Sequence, residues 1–315
     1  LEFRRVLFRS ATNTGDALVV LAPSTPVSIS GSNPSDFLDQ PGGTCIANAV
    51  IGVGGYSSFP VLRFAQSKGI PSFIHESNSF AGKANIMLGR KVTRIFVASD
   101  GMEKFFPAAK ITESGNPVRA TIANSGLSRE EGIRFFGLDP AKKTVLSIGG
   151  SLGAKSINES LDKAIDEFGL NNLQLIWQTG KPYAARGKER AAGRPDVWVS
   201  DFINQMEYAY AAADLVISRS GAMAIAELCV TKKAAVFVPF PYAAEDHQTA
   251  NAQSLVNKGA GILIPDREAL EKLVPAVVSL SKDETKQESL KRQIGMLAVA
   301  NADEKIATEI LKHIG

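Results

Sequence analysis

From residue 48 onward the chain alternates short apolar runs with stretches of helical periodicity. The runs occupy 49–53, 72–74, 94–98, 144–148, 173–177, 196–199, 215–218 and 234–238. Most are apolar at every position, not at every second one, as expected of strands covered by helices on both faces. This alternation predicts an α/β chain of doubly wound parallel sheets. A connector lies at 115–139, where Ser128 and Glu131 have capping-box spacing and predict a short helix. A domain boundary is expected near Arg119, and the tail from Asp266 reads as helix with no strand signal.

Residues 11–47 break the pattern. One strand is expected at 17–22, followed by a Ser/Pro/Gly/Asn-rich stretch that reads as loop. The strand, glycine turn and helix that should open a doubly wound domain are not visible there. The strand at 49–53 is therefore expected to leave an unpaired edge, with residues 1–47 poorly ordered and the first domain the less stable one. The opening LEFRRVLFRS has neither the long apolar core nor the small-residue cleavage site of a targeting peptide, and reads as a scar.

Composition changes this picture little. A length of 315 residues favours two domains, and 44% apolar with 21% charged residues is ordinary for a folded chain. The net charge of +3 calls for no nucleic acid but suits anionic lipid or phosphate. Cys45 and Cys229 form no Cys-x-x-Cys pair, which argues against a metal cluster or disulfide framework and for a reduced, cytosolic setting. No apolar run approaches the roughly 18 residues that a spanning helix needs.

Four motifs carry candidate chemistry. Gly149, Gly150 and Gly153 form a turn between the strand at 144–148 and a helix expected through 156–166; Ser151 adds a hydroxyl. Such a turn lets backbone approach a phosphate at a helix start. A dinucleotide fold would place an acidic residue at the end of the next strand, but that strand ends Trp177-Gln178-Thr179-Gly180. A second glycine turn, Gly52-Val53-Gly54-Gly55, follows the first apolar run; the pair suggests a ligand between two nucleotide-binding halves. Third, Glu227 interrupts an apolar helical run, where it would be costly if buried unpartnered and suited to accepting from ribose hydroxyls. Fourth, Asp246, His247, Gln248 and Asn251 crowd a helix start with directional groups of the kind a sugar needs; Asp246 alone could be an N-cap. No Asp-x-Asp pair occurs, so a metal-free site holding a diphosphate on backbone N–H groups is expected, with no cofactor. Phe59, Val61, Leu62 and Phe64, with Arg63, Lys68, Arg90 and Lys91, predict peripheral contact with an anionic membrane surface.

Taken together, GVGGYSSFP, IHESNSFAGKAN, SGNPVR, IGGSLGAKSIN, WQTGK, DFINQMEYAYAAADLVISRSGAMAIAEL and VPFPYAAEDHQTANA resemble the ordered signatures of the MurG-type glycosyltransferases. These are UDP-N-acetylglucosamine–undecaprenyl-pyrophosphoryl-muramyl-pentapeptide transferases of peptidoglycan synthesis. The resemblance covers about residues 48–315 and implies a GT-B fold, two Rossmann-like doubly wound domains facing a cleft, here with an incomplete amino-terminal domain. Residues 1–47 would be aberrant, 48–119 the remainder of an acceptor- and membrane-facing domain, and 120–315 the UDP-sugar domain, its last helices able to pack back on the first.

Carried over by motif, the resemblance implies that the Ile203 backbone reads uracil beside Phe202, and that Glu227 takes the ribose. Ser151 and the Gly149–Gly150–Gly153 turn would hold the diphosphate. Gln248 would contact the sugar with Asn251 nearby, and Asn78 and Arg119 would complete the donor pocket. The implied reaction is one inverting displacement, in which the 4-hydroxyl of undecaprenyl-pyrophosphoryl-muramyl-pentapeptide attacks the anomeric carbon and UDP leaves. It would take place at the cytoplasmic face of the bacterial cell membrane.

The family opens with a Gly-Gly-Thr-Gly-Gly-His loop whose histidine is a candidate base; here Gly42-Gly43-Thr44 is followed by Cys45. The catalytic base is thus unassigned, His75 is the sole histidine of the amino-terminal half, and little transferase activity is expected. The alternatives are a catalytically dead UDP-sugar-binding remnant and another GT-B UDP-hexosamine enzyme, such as a hexosaminyl transferase or a UDP-sugar epimerase.

Overall fold

The computed structural model describes residues 18–21, 27–28, 48–54 and 58–313. Contacts divide the chain into two units, Leu1–Pro117 with Asn301–Gly315, and Val118–Ala300. Two six-stranded sheets form the framework.

The first unit contains β1 (Leu18–Leu21), β2 (Val27–Ser28), β3 (Ala49–Gly52), α1 (Ser58–Ser67), β4 (Ser72–Glu76), α2 (Lys83–Gly89), β5 (Arg94–Val97) and β6 (Ile111–Glu113). Its sheet runs β2-β1-β3-β4-β5-β6. β3 to β6 are parallel. The edge expected to be unpaired is not: β1 lies antiparallel to β3, from Leu18 opposite Gly52 to Leu21 opposite Ala49. An edge row of N–H and C=O groups takes whatever strand the chain supplies, and the run at 18–21 supplies one. The stretch after β1, expected to be loop, contributes β2, which pairs antiparallel with β1 and extends the edge. The remaining expectations for residues 1–47, including the Gly42–Cys45 loop, lie outside the described residues, as do Gly55, Tyr56 and Ser57.

Alternation along the strands divides this core. Val50, Ile74, Ile95 and Val97 meet Leu62 and Ala65 of α1 and Leu88 of α2. Ala49, Ile51, Phe73 and Phe96 meet Ile306 and Ile310 on the opposite face. Leu62 is fully buried, which removes it from the expected membrane-facing set. Phe59 and Val61 pack partly against the same core. Helical spacing explains the division, because Leu62 and Ala65 share the inner face while Arg63 and Phe64 point away.

The second unit runs α3 (Ala120–Ala123), α4 (Arg129–Phe136), β7 (Lys143–Ile148), α5 (Lys155–Lys163), α6 (Asp166–Leu170), β8 (Leu173–Gln178), α7 (Ala184–Ala191), β9 (Val197–Ser200), α8 (Met206–Ala212), β10 (Leu215–Ser218), α9 (Ala222–Val230), β11 (Ala234–Phe237), α10 (His247–Asn257), β12 (Ile262–Leu263), α11 (Ala269–Lys282) and α12 (Glu284–Gly295). The chain then adds α13 (Ala302–Leu311), which carries Ile306 and Ile310 of the first unit's core. The helix expected through 156–166 is two helices, α5 ending at Lys163 and α6 beginning at Asp166. β6 and β12, of three and two residues, are too short to register as apolar runs.

All strands of the second sheet are parallel, in the order β12-β11-β10-β7-β8-β9. The chain enters at β7, builds outward through β8 and β9, then returns to place β10 on the other side of β7. This reversal is a topological switch point, and parallel sheets bind ligands outside the carboxyl ends of the strands at such a point.

Behind the sheet, α4 fixes α8. The capping box forms as expected, Ser128 Oγ accepting from Glu131 N and Glu131 Oε2 accepting from Ser128 N. Arg129 then grips Asp214, with Nη2 2.9 Å from Oδ2. A Cβ on Gly132 would lie 2.5 Å from Ala212 N and 2.7 Å from Tyr208 O, so the two helix backbones touch where no side chain fits. Gly132→Ala is expected to destabilise the protein by about 1–3 kcal/mol as an overpacked contact. Denaturant unfolding checks this; a wild-type midpoint would show that α8 can retreat freely.

Candidate functional site

A cavity of about 450 Å³ opens at the switch point, lined by the turns that follow β7 and β10 and by the segment leading into α8. Its walls include Arg119, Gly149, Gly150, Gly153, Phe202, Ile203, Glu227 and Gln248 from the sequence-derived candidates. Three candidates stand apart. Ser151 is exposed on the turn, and Asn251 is buried and donates from Nδ2 to Ser220 O at 3.2 Å. Asn78 belongs to the first unit.

The glycine turn is shaped by backbone contact. Gly150 and Gly153 have φ of 80° and 74°, which favour glycine. A Cβ on Gly153 would sit 2.0 Å from Thr179 O. Gly153 N donates to Gly150 O at 3.0 Å, closing the turn. The helices that start at the cavity, α5, α9 and α10, receive no capping bond from the side chain of their N-cap residues Ala154, Gly221 and Asp246. A helix start without a side-chain cap keeps donors and a positive dipole end for an anion. Asp246 stands at the N-cap of α10 but adopts φ 53° and makes no capping bond. Capping therefore does not account for it.

Glu227 is part-buried, its side chain 13% exposed, and it is partnered on both oxygens. Tyr210 Oη donates to Oε2 at 2.9 Å, and Arg119 Nη2 lies 3.2 Å from Oε1. Gln248 is oriented from two sides: its Oε1 accepts from Phe240 N at 3.0 Å, and its carbonyl accepts from Ser220 Oγ at 2.8 Å. Ile203 N donates to Gln178 Oε1 at 3.3 Å, a long bond.

Three lining residues carried no sequence signal for this role. Gln178, noted only as the wrong residue for a dinucleotide fold, clamps two walls by donating from Nε2 to Gly150 O at 3.0 Å and accepting from Ile203. Arg219 donates to the carbonyls of Val238 and Pro239 at 2.9 and 3.0 Å and stands 5.5 Å from the Phe240 ring centroid, fixing the loop before Gln248. Tyr210 stands in an alanine-rich helical segment whose pattern does not set it apart.

In the first unit, Glu76 is buried and organises the loop that bears Asn78. Oε1 accepts from Asn78 N and Nδ2 at 3.1 and 3.2 Å; Oε2 accepts from Gly82 N and Asn85 Nδ2 at 3.0 and 2.8 Å. His75, beside it, is buried, and its Nε2 is 2.9 Å from Gly115 O while Nδ1 is 3.2 Å from Ser77 Oγ. Donation from Nε2–H to the carbonyl and acceptance at Nδ1 describe a neutral ring. Burial lowers its pKa below 6.5, outweighing the opposing effects of the Gly115 carbonyl and Glu76. These bonds give it a structural place.

Two Rossmann-like sheets and a nucleotide-sized cavity at a switch point define a GT-B-class protein. Residues 144–309 match the Glycosyltransferase family 28 C-terminal domain, and 45–97 match the Glycosyltransferase family 28 N-terminal domain. A Parabacteroides distasonis protein named UDP-N-acetylglucosamine–N-acetylmuramyl-(pentapeptide) pyrophosphoryl-undecaprenol N-acetylglucosamine transferase is 48% identical over 267 residues, covering 84% of this chain and 72% of that protein. A Porphyromonas gingivalis protein of the same name is 46% identical over 268 residues, 84% of this chain and 71% of its own. The crystal structure of Acinetobacter baumannii MurG superposes with a TM-score of 0.70 at 30% identity, covering 84% of this chain and 74% of that one. The chain belongs to the MurG-type glycosyltransferases of family 28.

A pH prediction follows from His75. Its folded pKa lies below its unfolded value of 6.5, so below that pH the unfolded chain binds the extra proton and gains on the folded one. Stability should hold above about pH 6.5 and fall as pH drops from there toward the folded pKa. Thermal melts across this range should lose part of their slope in His75→Gln. Equal slopes in the two proteins would mean that the ring titrates alike in the folded and unfolded chain, against the effect of burial.

Proposed function

We propose that this chain serves the transfer of N-acetylglucosamine from UDP-N-acetylglucosamine to the 4-hydroxyl of the lipid-linked muramyl pentapeptide, the step that its relatives' names describe, at the low rate expected while its base is unassigned. The observation that carries the donor assignment is the cavity of the second unit, where one carboxylate, one oriented amide and one glycine turn meet at the switch point. In this reading the Gly149–Gly150–Gly153 turn, with Ser151 on its rim, holds the diphosphate. Ile203 and Phe202 take the base, Glu227 the ribose, and Gln248 the sugar, with Asn251 bracing the Ser220 turn behind it. Arg119 serves the donor from the cavity edge. Asn78, held by Glu76, is the residue of the first unit that we place on the substrate.

The chemical demand is to stabilise charge on the departing diphosphate. Preorganised N–H donors at a glycine turn and helix start do this without reorganising during the reaction. The uncapped first turn of α5 lies directly after the turn and suits that role.

Titration calorimetry of the full chain with UDP-N-acetylglucosamine checks the donor assignment. Glu227→Ala should cost about 1–3 kcal/mol of binding, as expected when hydrogen bonds to a charged group are lost. Undiminished affinity, with the fold intact by circular dichroism, would remove Glu227 from the site.

We also propose a peripheral place at an anionic membrane surface for the first unit. Among the described residues no helix is long and apolar enough to cross a membrane. Phe64 is 41% exposed with Lys68 Nζ 5.6 Å from its ring centroid, and Arg63, Arg90 and Lys91 are exposed. Apolar insertion flanked by cations suits acidic lipid. Co-sedimentation should be stronger with vesicles containing acidic lipid; equal binding to neutral vesicles would eliminate the electrostatic part.

A further inference from the structure

The two partners of Glu227 are unlike each other, and the difference assigns a role. Arg119 approaches Oε1 from a side chain that is 55% exposed, at 3.2 Å. Tyr210 approaches Oε2 from a residue that is 1% exposed, at 2.9 Å. An exposed, rotamer-rich guanidinium can leave Oε1 when a ligand hydroxyl arrives; a phenol locked in a core cannot leave Oε2. The geometry points to Tyr210 as the positioning residue of the donor site: it pins one oxygen of Glu227 so that the other faces the ribose of a uridine diphosphate. This deepens the reading in which Glu227 takes the ribose, and it rests on that reading.

The fold supports the assignment from three directions. Tyr210 lies one helical turn after Met206 on α8, and both line the cavity with Ile203 and Phe202 immediately before the helix. The segment proposed to take the base and the group that sets the ribose acceptor therefore sit on one rigid piece. That piece is held from behind by the backbone contact at Gly132. Finally, burial and the charge of Glu227 push the phenol pKa well above 10, so Tyr210 remains a donor at any physiological pH.

A buried phenol needs some acceptor simply to avoid an unsatisfied group, and any backbone carbonyl would do. Here the acceptor is the cavity's own carboxylate, and Tyr210 itself lines the cavity wall. A purely structural phenol predicts that its loss weakens all ligands alike. A positioning phenol predicts that its loss weakens only what depends on the ribose hydroxyls.

The experiment compares dissociation constants of the full chain for UDP and for 2′,3′-dideoxy-UDP by calorimetry. Wild type should prefer UDP by about tenfold or more, the value of a hydrogen bond to a charged group. In Glu227→Gln that preference should fall. In Tyr210→Phe, which keeps the ring in its packing, the preference should fall several-fold while dideoxy-UDP binds nearly as in wild type. Tyr210→Met, of similar bulk without the hydroxyl, should repeat the result if the phenylalanine variant melts early. Should both Tyr210 variants keep the wild-type preference while Glu227→Gln loses it, the positioning role is overturned and the ribose reading stands. Should Glu227→Gln keep it as well, the ribose reading itself fails and the positioning role goes with it.

Discussion

Two glycines touching backbone to backbone set the geometry on which the cavity depends. A Cβ on Gly180 would lie 2.2 Å from Gly153 N, and one on Gly153 would lie 2.0 Å from Thr179 O. Both residues have φ near the left-handed region, 72° and 74°, so each is glycine for two independent reasons. The contact draws together the loops after β7 and β8, and buried polar groups then fix it. Asn158 donates to Thr179 O at 2.8 Å and accepts from Trp177 Nε1 at 2.9 Å. Gln178 extends the clamp to Gly150 and Ile203. The turns after β7 and β8 and the segment before α8 are thus tied by two buried amides and the edge of a core tryptophan, which is the arrangement a fully bonded polar network supports.

The two units bury their key carboxylates by different means. Glu76 accepts four N–H bonds, from Asn78 twice, Gly82 and Asn85. Glu227 is held by one phenol and one guanidinium. Burying a carboxylate is expensive unless it is hydrogen-bonded or paired, so each site has satisfied the same demand locally. Four bonds hold Glu76 and make it a scaffold for its loop. One fixed and one exposed partner leave Glu227 an oxygen whose partner can change, which is the property a binding group needs.

Much of this was legible in the sequence, and the exceptions have physical causes. The continuous apolar runs located eight strands because covered strands must be apolar on both faces. They missed β6 and β12, which are too short to form a run, and the antiparallel pairing of β1, which depends on an available edge and not on local pattern. In the site, Gly149, Gly150 and Gly153, Glu227 and Gln248 stood out because each is odd for its surroundings: glycines between a strand and a helix, a charge in an apolar helix, an amide after a proline loop. Tyr210 and Gln178 were not odd. An aromatic on an alanine-rich helix reads as core, and most of its surface here is core; only the position of its hydroxyl distinguishes it. Leu62 erred the other way, because a single apolar residue beside cations gives no sign of which helix face it occupies.

The loop before Gln248 shows how local strain serves the same end. Glu245 and Asp246 both take left-handed backbone, φ 52° and 53°, though neither is glycine. Such residues cost on the order of 1 kcal/mol or more each and persist only where surrounding contacts over-determine them. Those contacts are present on both sides. Arg219 holds the Val238 and Pro239 carbonyls upstream, while Ser220 Oγ and Phe240 N hold Gln248 downstream. A relaxed loop would let Asp246 cap α10 with its side chain in the ordinary way, competing for the helix's first N–H groups. The strained one starts the helix without such a cap and turns Gln248 toward the cavity. The strain therefore places a polar helix start at the switch point, beside the cavity in which the proposed sugar diphosphate would sit.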